Sequence, residues 1–338
     1  MFQRNILLGQ YSSFKIGGPA KYFFEAKSVE EIIKAFKEWR RLAPHRNEVS
    51  DAGVFILGGG TNILFSDKGF DGLVIKPDIK FIKGDSCLLR VGAGVSITQL
   101  LNYSITKNLS GLEWAAGIPG TVGGAVRGNA GAFGGETRDV VAEVSSLDIF
   151  KAQLKIKKRK VAACCFGYRS SIFKKTGIRE IITEVVFKLK KRDKKSIRKI
   201  IERNINYRKK QHPLKYPNIG SIFKNVDIAN LHEYKNSFTR QNFASQKLGG
   251  RVFANKLVPI NDNRIPAAYL ISEAGLKGVS CGGAIVSPKH PNFIVNFSDA
   301  TASDVKNLIK LIKKEVYKKF KIKLEEEITY SELSTVYI

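Results

Sequence analysis

The chain has 338 residues, 43% hydrophobic and 26% charged, the composition of an ordinary globular protein with room for two or three domains. No apolar run is long enough to span a bilayer and residues 1–20 lack a signal-peptide pattern, so no membrane insertion and a cytoplasmic location are expected. The formal charge of +27 concentrates where lysines alternate with apolar residues at helical spacing, as in 188–211 and 306–323; with no nucleic-acid-binding motif in the chain, it reads as solvated helix faces suited to anionic small ligands, not nucleic acid.

In chain order, AKYFFEA at 20–26 alternates and reads as a strand. Ser28 with Glu31 forms a capping-box signature for a helix carrying Ile32, Ile33, Phe36 and Trp39 on one face. VFILGG at 54–59 is a short strand running into GGGTNIL, and DGLVIKP is another strand. GGGTNIL lacks both the dinucleotide fingerprint and the P-loop lysine, yet the amides of Gly59, Gly60, Thr61 and Asn62 can form an anion nest.

A second unit begins near residue 77, with a strand at 87–93 and a helix capped by Ser96 and Gln99. The run GIPGTVGGAVRGNAGAFGGE at 117–136 then offers a wall nearly free of side chains. Its Ile118, Pro119, Val122, Val126 and Phe133 are packing residues, which argues against a flexible linker and for a surface that lets backbone approach a ligand. Strands follow around 142–157 and 180–189, and a basic helix at 193–210 leads out.

The third unit holds a short helix near 266–275, a strand at 292–297, and a helix capped by Thr301 and Asp304 with Val305, Leu308, Ile309, Ile312 and Val316 on one stripe. Residues 324–338 return as one or two strands. The expected class is α+β. Adjacent Cys164 and Cys165 read as reduced core residues, and no cysteine or histidine spacing suggests a metal site.

Isolated residues are ambiguous by spacing alone. Arg169 in FGYRSSIFK fits an ordinary ion pair, Ser221 in GSIFKN fits a turn, and Glu325, Glu326 and Glu327 fit a solvated cluster. Taken in order, however, GGGTNILFSDKGFDGLVI, GLEWAAGIPGTVGGAVRGNAGAFGGE, FGYRSSIFK, GSIFKN, ISEAGLKG and LEEEI resemble the UDP-N-acetylenolpyruvoylglucosamine reductase (MurB) family of peptidoglycan synthesis, in its shorter type II form. The resemblance runs from SSFKIGGPA at 12–20 to the C-terminal strands.

That resemblance implies a two-subdomain FAD-binding fold of the vanillyl-alcohol-oxidase/PCMH type plus a C-terminal substrate-binding α+β domain. The implied divisions are 1–76 (with strands at about 328–338 returning to it), 77–205 and 206–327. It implies non-covalent FAD, NADPH as reductant, a UDP-sugar substrate and a monomer. FAD is expected against Gly58, Gly59, Gly60, Thr61, Asn62, Ile63 and Leu64, and against Gly117, Ile118, Pro119, Gly120, Thr121, Val122, Gly123 and Gly124, with Asn129, Ala130 and Gly131 near the flavin. Arg169, Ser221 and Glu327 take the catalytic positions, with Glu327 protonated when acting. The choice of Glu327 over Glu325 rests on register. Tyr168, Lys224 and Asn225 take substrate contacts, and Lys224 is a candidate to activate Ser221. Three departures stand out: Val226 and Glu326 each replace a usual proline, and 226–265 is longer than expected.

Overall fold

The computed structural model describes residues 1–42, 53–84, 86–149, 154–175, 180–227 and 264–331, with the backbone of 250–253 and 256–259. Most of the long 226–265 segment, and residues 332–338 of the closing strands, therefore lie outside the described residues.

The first region is a four-stranded sheet in the order Gln3–Leu7, Pro19–Ala26, Phe70–Pro77, Val54–Ile56. Its last three strands are parallel, so the chain must cross over between them. Helix α1 (Val29–Leu42) makes that crossing and buries Ile32, Ala35, Phe36 and Trp39, the face its spacing predicts. Strand Val54–Ile56 ends at the edge where the first glycine-rich loop begins.

The second region is a five-stranded antiparallel sheet: Lys155–Lys160, Val141–Asp148, Glu180–Lys188, Leu88–Gly92 and Ile82–Lys83. Three helices share its core: α2 (Ile97–Thr106), α3 (Val122–Gly128) and α5 (Lys194–Gln211). The Ser96–Gln99 capping box of α2 is present. Helix α3 lies inside the glycine run, where propensity disfavours a helix. Packing overrides it: a Cβ on Gly123 would come 3.1 Å from Cβ of Ala93, so glycine lets the helix settle on the strand end. The short α4 (Ile172–Lys175) closes the FGYRSSIFK motif. Of the cysteine pair, Cys164 is buried, but Cys165 is exposed at φ 46°, correcting the expectation that both lie in the core.

In the third region a small antiparallel sheet (Ser280–Cys281, Ala284–Val286, Ile294–Asn296) packs with α6 (Ala267–Glu273) and α7 (Ala302–Phe320). The chain then returns. Thr329–Tyr330 pairs in parallel with Ile63–Leu64 beside the first glycine loop. Phe14, Ile16 and Leu64 share a core with Leu324 and Ile328, so the first and third regions are welded by apolar contact. Among the described residues, no helix is long and apolar enough to cross a membrane.

Candidate active site

A cavity of about 1720 Å³ is lined by residues from all three regions. Pockets for one small molecule run to roughly 300–1,000 Å³, so this space suits two ligands side by side.

One wall is the loop after strand Val54–Ile56. Gly58, Gly59, Gly60, Thr61, Asn62 and Ile63 all line the cavity. Gly60 has φ 64°, and a Cβ there would overlap the carbonyl of Tyr11. The facing wall is Gly117, Ile118, Pro119, Gly120 and Thr121, continued by Gly123 and Gly124 of α3. The walls meet backbone to backbone: a Cβ on Gly59 would stand 2.7 Å from Cα of Gly120. A cradle that any side chain would fill is what a dinucleotide diphosphate needs.

Three expected wall residues stand behind it. Leu64 and Val122 are buried in the apolar cores. Asn129 caps α3 at φ 43°; its Nδ2 donates to Oε2 of Glu136 at 2.8 Å and to the carbonyl of Gly167 at 2.9 Å. It thereby brackets Ala130 and Gly131, which do line the cavity, to the turn that carries Arg169.

That turn is closed by reciprocal hydrogen bonds between Gly167 and Ser170, which places Arg169 at φ 53°. Its Nη2 donates to the carbonyl of Gly131 at 3.0 Å, and its Nε makes a close ion pair with Oε1 of Glu327 at 2.7 Å. Left-handed backbone at a bulky residue is costly and persists only when neighbours over-determine it. The neighbours do so here: Nζ of Lys174 donates to the Arg169 carbonyl at 3.2 Å.

Ser221 follows Gly220, which has φ 82°, and is bridged to Phe293. The Asn292 side chain clips Phe223 at both N–H and C=O, at 3.0 and 2.8 Å. On the other side, the Glu327 N–H donates to the Ile222 carbonyl at 2.8 Å. Nδ2 of Asn62 donates to the Glu327 carbonyl at 3.2 Å. The strap 325–329 thus ties the first glycine wall to the strand bearing Ser221.

The three closing glutamates have different partners. Glu325 is exposed and pairs with Lys224, and Glu326 takes Lys313 and the Tyr330 hydroxyl. Glu327 faces Arg169. Burial pushes the Glu327 carboxyl above its ordinary value, against the opposing pull of Arg169, Lys174 and Lys224.

Ser221 and Lys224 line the cavity, whereas Tyr168 and Asn225 sit just outside it. The Tyr168 hydroxyl accepts from the Asn225 N–H at 3.3 Å, and the Arg264 guanidinium covers its ring at 3.9 Å from the centroid. Oδ1 of Asn225 accepts from the Ala267 N–H at 3.2 Å, the first residue of α6.

Sequence reasoning missed several cavity cations, among them Arg127, Lys174 and Arg208. Burial, with Lys224 and Arg127 nearby, brings Lys174 down to about 8. Nε of Arg208 donates to the Ala116 carbonyl at 2.8 Å, while its Nη2 is buried without a hydrogen-bond partner among the described residues. Lys174 closes a quoted motif and Arg127 interrupts an apolar one, so both were visible as oddities. Arg208 was hidden in a lysine-rich helix.

Known proteins match this arrangement. Residues 20–153 match the family described as FAD binding domain, and residues 212–331 that described as UDP-N-acetylenolpyruvoylglucosamine reductase, C-terminal domain. Proteins named UDP-N-acetylenolpyruvoylglucosamine reductase from Caldicellulosiruptor saccharolyticus and Protochlamydia amoebophila are each 36% identical to this chain over 97% of it, and over 91% and 93% of their own lengths. A crystal structure of UDP-N-acetylenolpyruvylglucosamine reductase from Thermus caldophilus aligns with a TM-score of 0.72 at 28% identity, covering 98% of this chain and 99% of that one.

Proposed function

The chain belongs to the UDP-N-acetylenolpyruvoylglucosamine reductase family, and from that premise we propose that it reduces UDP-N-acetylglucosamine enolpyruvate to UDP-N-acetylmuramate, with NADPH as reductant and non-covalent FAD as carrier. The observation that carries this reading is one cavity shared by two glycine-rich walls, the Arg169–Glu327 pair and Ser221. The walls fit FAD because glycines line the cavity on both sides, and at Gly59 and Gly60 a Cβ would run into backbone, so only a side-chain-poor chain leaves that cradle open to a diphosphate. Bound FAD would supply the hydride chemistry, accepting reducing equivalents from NADPH and passing them to the enolpyruvyl double bond.

The protein's residues handle the charge and the proton. The substrate's vinyl carbon is conjugated to a carboxylate, so hydride at the terminal carbon drives negative charge onto the carboxylate oxygens. Arg169 is permanently cationic and can fork onto those oxygens, where its effect grows in the transition state. Glu327, raised by burial, holds a proton more readily than an ordinary glutamate and can donate a hydrogen bond instead of opposing that charge. Ser221 delivers the proton to the ether-bearing carbon. A hydroxyl is a weak acid, and the Lys224 ammonium lining the same cavity supports that loss.

We assign the FAD-binding units to 1–76 with the returning strap and to 77–205, and the substrate unit to 206–327. The protein is taken as a cytoplasmic monomer acting on a UDP-sugar, and Tyr168 and Asn225 as a pair that shapes the substrate side from outside the cavity.

The test is Ser221→Ala in single turnover. NADPH should still bleach the flavin, while reoxidation by the enolpyruvyl sugar slows by about 10²–10⁴-fold. Unchanged reoxidation removes Ser221 from the reaction.

A further inference from the structure

Arg127 occupies the last turn of α3, inside the most apolar and glycine-rich stretch of the chain. Its side chain is half-buried and lines the cavity. Desolvation pushes its pKa down, and no described acidic group offsets the effect. Among the described residues, the guanidinium has neither a hydrogen-bond acceptor nor an ion-pair partner. A half-buried cation that lines a ligand-sized cavity without a described partner leaves its charge available to an anionic group bound there.

Its position says which part of the ligand. At the N-terminal end of α3, Thr121, Gly123 and Gly124 belong to the glycine-rich wall. At the other end, the Arg127 carbonyl accepts from Oγ of Ser171 at 2.7 Å, within the motif that carries Arg169 and Lys174. Arg127 lies close enough to Lys174 to depress it further. The other cations at this end have roles of their own: Arg169 pairs with Glu327, Lys224 with Glu325, and Lys174 holds the Arg169 carbonyl. Arg127 and Arg169 line the same cavity, so a dinucleotide with its phosphates on the wall and its ring towards Arg169 would occupy space that Arg127 borders.

We propose that the Arg127 guanidinium is the counter-charge for the isoalloxazine ring of FAD in its reduced state. The inference rests on the FAD reading above. A hydride carries two electrons and one proton, so a neutral ring that accepts one from NADPH becomes an anion, leaving NADP⁺ behind. A fixed cation beside it favours the reduced state over the neutral oxidised one.

The experiment uses the FAD-loaded protein, Arg127→Met, Arg127→Gln and Arg127→Lys. Sulfite is the probe, because its addition to the oxidised ring leaves the same negative charge and bleaches the visible band. The two-electron midpoint potential is measured in parallel, and FAD retention is read by absorbance after gel filtration. Either neutral variant should bind sulfite at least about tenfold more weakly and show a potential lower by about 30 mV or more, the same factor for a two-electron couple. Arg127→Lys should stay near the native values, and all forms should retain FAD. The proposal is overturned if a folded neutral variant keeps native sulfite affinity and potential. It is equally overturned if the neutral variants shed FAD while the remaining flavin behaves as native, which would make Arg127 a diphosphate contact. A native protein that takes up no FAD at all would instead remove the underlying reading, and this inference with it.

Discussion

Nε of Arg169 stands 2.7 Å from Oε1 of Glu327, joining a tight turn in the second region to the strap that closes the third. The side chains are 24% and 18% exposed, so each is the other's main relief from burial. Removing one strands its partner. Glu327→Gln should lower kcat by roughly 10²–10³-fold, the scale of losing one transition-state donor, while NADPH still reduces the flavin. Stopped-flow measurement of the two half-reactions separates these outcomes, and equal slowing of both would argue against the assignment.

The glycine walls should respond in a graded way. Gly59→Ala puts a methyl 2.7 Å from Cα of Gly120, a backbone atom that cannot rotate aside. Gly58→Ala meets the Thr121 hydroxyl at 3.1 Å and otherwise makes only ordinary contact, with Cα of Gly124 at 3.9 Å. Gly59→Ala should therefore weaken FAD binding by about tenfold or more, about 1.4 kcal/mol, with the Gly58→Ala loss smaller. Flavin fluorescence on titration into the apoprotein measures both, and the reverse order would remove the walls from the cofactor site.

Lys174, brought down to about 8 by burial and neighbouring cations, is charged below that pH and neutral above it. Its charge adds to the field around Arg169 and Glu327. Turnover should therefore decline above about pH 8. Lys174→Arg should move that limb upward, because guanidinium keeps its proton, and Lys174→Met should abolish the limb at a lower plateau. A pH–rate profile of the three proteins is the measurement; an unmoved limb in Lys174→Arg assigns the titration elsewhere.

His212 contributes to stability rather than chemistry. It packs against His290 and Phe293, with ring centroids at 5.3 and 5.0 Å, and burial followed by His290, Arg208 and Lys289 brings it down to about 4. The unfolded chain takes up that proton near pH 6.5, whereas the folded one refuses it until about pH 4. Stability should therefore fall as pH drops from 6.5 towards 4, by on the order of 2 kcal/mol after allowing for partial exposure. His212→Phe should flatten that acid limb. Urea midpoints at pH 7 and pH 5 test this, and an equal drop in the variant would assign the loss to other groups.

The elements decided by neighbours in sequence were legible. Ser96 with Gln99 and Thr301 with Asp304 cap the helices they announce, because the hydrogen bonds span three residues. The apolar stripe of α1 faces inward, because its spacing can bury only one face. Six short motifs in order were enough for the family. The glycine run was legible as a wall but not as a helix, since propensity argues against α3 and it is held by the Thr121 cap and by burial of Val122, Ala125 and Val126 in the second core.

The site's electrostatics were not legible. Three consecutive glutamates look alike in one dimension, yet they meet Lys224, Lys313 with Tyr330, and Arg169 in three. Arg127 and Lys174 were plain letters in quoted motifs until the fold removed water from around them. Period, caps and motif order are local properties, so the amino-acid sequence alone determined the elements and the family. Desolvation and charge pairing depend on which distant segments close over a group, so Glu327, singled out by register and resemblance, meets Arg169 only in the tertiary structure, which alone decided which lysine is depressed and which arginine faces the ligand cavity.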